Sequence, residues 1–101
     1  MHVGFLPSTY INKKIQFARR ANKQSMASQE SEILSIFGDN LRRIRQEKGY
    51  SQRELSSRCN VDNADISRME KGDINVTLRT AAQLADALDT RVIDLLIKRL
   101  V

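Results

Sequence analysis

Apolar residues recur at helical spacing through most of the chain. Ile33, Ile36 or Phe37, Leu41 and Ile44 follow one another at steps of three and four. That spacing predicts an amphipathic helix from about Ser31 or Gly38 to Lys48, ahead of Gly49. Shorter patterns predict a second helix from about Gln52 to Arg58 and a third from Asn63 to Glu70. A loop over Asp73–Val76 leads to a fourth, capped by Thr77, whose inner face is Leu78, Ala81, Leu84, Ala85 and Leu88. Asp89-Thr90 break it, and a fifth helix runs from about Val92 through Leu96 toward the end of the chain. No stretch of any length alternates with period two, so no sheet is expected and the fold class is all-α. The expected core is Phe37, Leu41, Ile44, Leu55, Cys59, Val61, Ile66, Leu78, Leu84, Ala85, Leu88, Val92 and Leu95. Ile97, Leu100 and Val101 are left over near the C-terminus, as frayed residues or as a dimer surface.

The densest set of signals lies between Ser51 and Gly72. Ser51 is a good N-cap with Glu54 three positions on, the spacing of a capping box. Leu55 anchors this short helix, and Arg53, Ser57 and Arg58 are left for water. Helix character fades at Cys59-Asn60, where Asn tolerates the left-handed backbone of a sharp turn. Val61 is the apolar residue inside the turn. Asp62 can cap the next helix, and Asp65 sits favourably near its positive end. Ile66 and Met69 share a face, and Gly72 supplies the stop. Two capped helices joined this tightly form either a generic helix pair or a unit that lays one helix across a DNA backbone and the next in the major groove.

The segment GYSQRELSSRCNVDNADISRMEKG, followed by TLRTAAQLADALDTRVIDLL, resembles the Cro/phage-repressor helix-turn-helix family, also called the xenobiotic-response-element type. Ser51-Gln52, Ile66-Ser67, Glu70-Lys71-Gly72 and Leu84-Ala85-x-x-Leu88 fall at the family's spacings, and the likeness extends back through Phe37, Leu41 and Arg45. It covers about two thirds of the chain, leaving the first 30 or so residues outside. Asn60 departs from it, since Gly is usual there. The resemblance implies a five-helix, lambda-repressor-like DNA-binding domain over residues 31–101, behind an N-terminal extension over 1–30. It also implies a partly buried ion pair between Arg45 and Glu70, and a role for Gln52 in holding a phosphate while buttressing the third helix.

Composition changes this picture in one respect. The net charge of +5 suggests an anionic partner. Residues 1–30, however, hold five Lys/Arg and one acid, whereas residues 31–101 hold twelve Lys/Arg and eleven acids. The predicted DNA-binding unit is therefore nearly neutral, and overall charge argues little for its role. Within the extension, Ile11–Arg20 can form a short helix and Asn22–Ser31 reads as a linker. The stretch is a basic arm for the DNA backbone or minor groove, a plain tail, or an artefact of start-codon choice with Met26 as the true start. No charged start followed by an apolar run marks a signal peptide, no run reaches transmembrane length, and a cytoplasmic location is expected. The single Cys59 offers no internal disulfide and reads as a buried apolar thiol. Neither a paired Cys/His metal spacing nor a Gly-rich phosphate loop occurs, and no cofactor or enzymatic role is expected.

The expected interface follows from a third helix entering the major groove by its N-terminal end. Asn63, Ala64, Ser67 and Arg68 are the expected base-reading residues. Asn63 suits adenine and Arg68 guanine, both in two-point contacts, and Ala64 offers a methyl-sized apolar contact. Asp65 cannot donate and would repel phosphate; it caps the helix, accepts from cytosine, or orients Arg68. Gln52, Arg53, Asn75 and Arg43 are candidate phosphate contacts. Double-stranded DNA is the expected partner. A near-neutral domain should bind it weakly alone, so a homodimer on a palindrome is expected. An antitoxin that binds a toxin through the extension and regulates its own operon is the alternative.

Overall fold

The computed structural model describes residues 26–99, which form five α-helices and, among the described residues, no strand. These are α1 (Met26–Glu47), α2 (Gln52–Ser57), α3 (Asn63–Glu70), α4 (Leu78–Ala87) and α5 (Val92–Leu96). The unit that begins at Ser31 is compact and carries the core and the candidate site. The expected helix over Ile11–Arg20 and the terminal pair Leu100 and Val101 lie outside the described residues.

Helix α1 begins at Met26, within the stretch that reads as a linker. Ala27, Gln29 and Glu30 are good helix formers, and no Gly or Pro interrupts them. Side-chain caps start the next three helices. Ser51 Oγ accepts from the Glu54 N–H at 2.9 Å, Asp62 Oδ2 from Ala64 N–H at 3.1 Å, and Thr77 Oγ1 from Thr80 N–H at 3.1 Å. The expected capping box is only half formed, because the Glu54 carboxylate turns to Arg58 at 3.0 Å instead.

Three helices end in one way. Tyr50 N–H bonds Arg45 O while Gly49 N–H bonds Gln46 O; Asp73 and Gly72 repeat this on Arg68 and Met69, and Thr90 and Asp89 on Ala85 and Asp86. This is the Schellman closure, with a left-handed residue after the helix. Gly49, Gly72 and Asp89 hold that position, at φ of 77°, 73° and 54°. Asp89 is the only non-glycine residue with positive φ among those described, so Asn60 does not adopt the left-handed conformation expected of it. The turn between α2 and α3 is closed by other bonds: Cys59 N–H to Ser56 O at 3.3 Å, and Ser56 Oγ to Val61 O at 2.8 Å.

The core comprises Phe37, Leu41, Ile44, Leu55, Val61, Ile66, Met69, Ala81, Leu84, Ala85, Leu88 and Leu95. Leu78 is a correction: it is 77% exposed. It occupies the first turn of α4, which overhangs the packed layer, while Ala81, Leu84, Ala85 and Leu88 carry the buried stripe. Met69 and Ala81 are buried in addition to the expected core. Cys59 and Val92 are only partly buried, packed against the core from its edge. The Cys59 thiol donates to Leu55 O at 3.2 Å.

Two polar features position the helices. Asn40 is buried in α1, and its amide Nδ2 donates to Leu95 O at 3.0 Å and Ile97 O at 2.9 Å, so α1 caps the C-terminal end of α5. Gly38, in the middle of α1, faces the end of α3. A Cβ there would meet Met69 O, and would lie 2.8 Å from Glu70 O. Only glycine permits that approach; Gly38 therefore serves packing, and the helix runs from Met26 through it rather than starting at it.

Candidate nucleic-acid interface

Burial of Leu55, Val61 and Ile66 locks α2 and α3 together from the inside, leaving an outward stripe on α3. Asn63, Ala64, Ser67 and Arg68 lie at helical offsets of zero, one, four and five, an arc of roughly 140° at 3.6 residues per turn. That arc lies roughly opposite Ile66 and Met69, which point into the core. Ala64 and Arg68 are exposed, and Asn63 and Ser67 are half-buried. The Asn63 side-chain oxygen is buried and has no hydrogen-bond partner. Arg68 does not project freely: its Nη1 donates to Asp65 Oδ1 at 2.9 Å across one turn of helix.

Behind this stripe a polar network fixes α3 to the rest of the domain. Arg45 and Glu70 are each 8% exposed and meet in a two-point pair, Nε to Oε2 at 2.6 Å and Nη2 to Oε1 at 3.0 Å. Arg45 Nη1 also donates to Tyr50 O at 2.8 Å. Glu70 Oε1 accepts a further bond from Gln52 Nε2 at 3.0 Å. One carboxylate thus joins the first residue of α2, the last residue of α3 and the final turn of α1. Both charges are compensated by planar, charge-assisted bonds, which is what makes their burial tolerable. Tyr50 has a second task, since its ring lies under the Arg58 guanidinium at 4.3 Å.

The phosphate candidates divide. Gln52 and Arg53 open α2, with Arg53 exposed and Gln52 half-buried against Glu70. Asn75 is exposed in the α3–α4 loop, and its Oδ1 accepts from the Val76 N–H at 2.9 Å. Arg43 is not brought to this surface. It leaves α1 two residues from Arg45, about 200° around the helix, and bonds Asn40 Oδ1 at 3.2 Å and Glu47 at 3.4 Å beside the end of α5. The order of residues alone does not mark Gly38 and Tyr50 as supports of the site. A glycine inside an otherwise helical pattern was the available signal for the first; the second acts through its backbone carbonyl, which no side-chain pattern reveals.

Among the described residues no group of three His, Cys, Asp or Glu side chains is arranged to hold a metal ion, and no helix is long and apolar enough to cross a membrane.

Comparison with known proteins agrees with this geometry. A helix-turn-helix family model matches residues 41–95. A transcription factor described as hypothetical from Neisseria meningitidis is 31% identical over 68 residues, covering 67% of this chain and 64% of that protein. A helix-turn-helix transcriptional regulator from Sinorhizobium fredii is 33% identical over 64 residues, 63% of this chain and 83% of its own. The chain spans 22% of a regulatory protein of Pyrococcus abyssi to which it is 34% identical. Among solved structures, the Neisseria factor superposes with a TM-score of 0.64 at 30% identity, over 68% of this chain and 79% of that one. The restriction-modification controller protein C.AhdI from Aeromonas hydrophila does so with a TM-score of 0.60 at 37% identity, over 61% and 94%. The match over more than half of the chain, together with the two linked helices it spans, places this protein in the Cro/phage-repressor-type helix-turn-helix family of transcriptional regulators.

Proposed function

We propose that the protein regulates transcription by binding a specific DNA sequence, with the N-terminal half of α3 in the major groove. The observation that carries this is the polar stripe Asn63–Ala64–Ser67–Arg68 on a helix held from behind by the Arg45–Glu70–Gln52 network. A rigid helix with short polar side chains and one Arg on its outer face suits readout of base edges. Asn63 pairs with adenine after its amide, whose oxygen is turned inward in the free protein, rotates outward, and Arg68 pairs with guanine; Ala64 and Ser67 line the groove between them. Gln52, Arg53 and Asn75 contact phosphates on either side of it. Arg43 leaves the phosphate set, because its partners Asn40 and Glu47 hold it on another face of α1.

The functional species is a homodimer on a palindromic operator. Support comes from the near-neutral charge of residues 31–101, which gives one copy few phosphate contacts, and from two apolar side chains left exposed at the C-terminal end of the unit, Ile93 on α5 and Ile97 just after it, 50% and 48% exposed. The relatives named as transcription factors and the restriction-modification controller point to the same class of role.

Selection of bound sites from random duplexes, run in parallel on the parent protein, Asn63→Ala and Arg68→Ala, tests the reading. Each variant is expected to lose preference at its own base pair, by about 1–3 kcal/mol for a lost two-point contact. Variants that select the parent site with undiminished preference would remove α3 as the reading element.

A further inference from the structure

Asp65 is an awkward residue for a helix that lies against DNA. It carries a negative charge, donates no hydrogen bond when ionised, and stands half-buried in the first two turns of α3. Capping does not account for it, since the N-cap role belongs to Asp62, whose Oδ2 accepts from the Ala64 N–H at 3.1 Å. Asp65 instead grips Arg68, Oδ1 to Nη1 at 2.9 Å, with both side chains about half exposed. That bond engages one guanidinium nitrogen. The Nε–Nη2 edge has no partner among the described residues, and it is a two-donor fork of the kind that matches O6 and N7 of guanine.

We propose that Asp65 is a positioning residue for base recognition, which holds the Arg68 guanidinium with its free edge toward a guanine and so sets the preference at one base pair. The inference rests on Arg68 being a base-reading residue. The chemistry gives Asp65 a double effect. The bond restrains a side chain that would otherwise swing to the nearest phosphate, where it would bind every sequence alike. The carboxylate also repels the phosphate backbone, weakening non-specific binding. Asp65 therefore exchanges affinity for discrimination.

The test is a double-mutant cycle on duplexes carrying the selected site or single base-pair changes in it, using the full chain with Asp65→Ala, Arg68→Ala and both together. Alanine is the stronger helix former, so α3 persists in each variant, as circular dichroism will verify. Asp65→Ala is expected to reduce discrimination at the Arg68 base pair about tenfold while binding non-cognate duplex more tightly than the parent. In the Arg68→Ala background the same change is expected to leave the remaining discrimination at that pair untouched. Full discrimination in Asp65→Ala, alongside a loss in Arg68→Ala, would overturn the positioning role and leave base reading by Arg68 intact. An equal loss from Asp65→Ala in both backgrounds would make Asp65 a direct base contact, also overturning it. Undiminished discrimination in Arg68→Ala would remove the base-reading assignment and this inference with it.

Discussion

At the scale of single residues, the decisive group is the Glu70 carboxylate. It is buried, and three donors from two other side chains converge on it: Nε and Nη2 of Arg45 and Nε2 of Gln52. Removing one partner of such a pair leaves the other charge buried and uncompensated, which costs more than the pair's net contribution. Arg45→Ala is accordingly expected to lower unfolding free energy by about 3–5 kcal/mol, measured as the shift of the urea midpoint at constant slope. Replacing both charges together by apolar residues of similar volume should cost far less, because nothing charged is then stranded. An Arg45→Ala midpoint equal to that of the parent would show the pair to be inert. Gln52 differs in kind. Its bond to Glu70 is one neutral amide on an already paired carboxylate, so Gln52→Ala should affect DNA affinity more than stability.

At the scale of elements, contacts between helices follow from small features. Gly38 brings α1 against the terminal carbonyls of α3, and a methyl group there would collide with backbone, which cannot rotate aside. Gly38→Ala thus opposes a helix-propensity gain of about 1 kcal/mol with a steric cost that forces α1 and α3 apart. The expected outcome is a net destabilisation, read as a lower melting temperature; a higher one would mean that α1 shifts without strain. Asp89 shows the opposite case, an L-residue with a side chain in the left-handed position that ends α4. Asp89→Gly should raise stability by about 0.5–1 kcal/mol if no bond is lost. At the start of α5, Asp94 reaches back to Arg91, accepting from the guanidinium at 3.2 Å and from the backbone N–H at 3.2 Å. The Arg91 side-chain bond first, and the backbone bond after it, hold the Asp94 carboxyl below its ordinary range; the side-chain bond to Asp94, and then its negative charge, push the Arg91 guanidinium up. A depressed folded value means that this contribution is complete above the unfolded value of about 3.9 and fades as pH falls through the folded one. Nuclear magnetic resonance titration should place the Asp94 midpoint below that of an unperturbed Asp, and Arg91→Ala should raise it only part of the way back, because the backbone N–H of residue 91 and the Thr90 hydroxyl still donate to the carboxylate.

At the scale of the whole molecule, the charge distribution sets the binding physics. The unit from Ser31 is nearly neutral, and the surplus lies in Lys13, Lys14, Arg19, Arg20 and Lys23, which fall outside the described residues. If these five side chains follow the DNA backbone, changing all of them to Gln in the full chain should flatten the dependence of log affinity on log salt. Each lost phosphate contact would reduce the slope by about 0.9. An unchanged slope would leave the extension without a role on DNA. Assembly is tested separately: sedimentation of the protein with a selected operator should give two copies per duplex, and a single copy would contradict the palindromic dimer.

Some of this was open to reading along the chain, and some was not, for definite reasons. Helix α3, the caps Ser51, Asp62 and Thr77, and the stop at Gly72 are local events. They depend on residues within one turn of each other, so the order of amino acids alone determines them. The apolar stripe of α4 was legible on the same ground, but not its limit: Leu78 keeps the period yet lies where no neighbour covers it, and burial is decided by neighbours. Asn60 misled because the left-handed turn it suits is one way to close α2 to α3, and Ser56 and Cys59 provide another. The contacts of Gly38, Asn40 and Tyr50, and the placement of Arg43 beside Asn40 and Glu47, all depend on which side of α1 meets α3 and which meets α5. Residues far apart in sequence decide that, and only the tertiary structure brings them together.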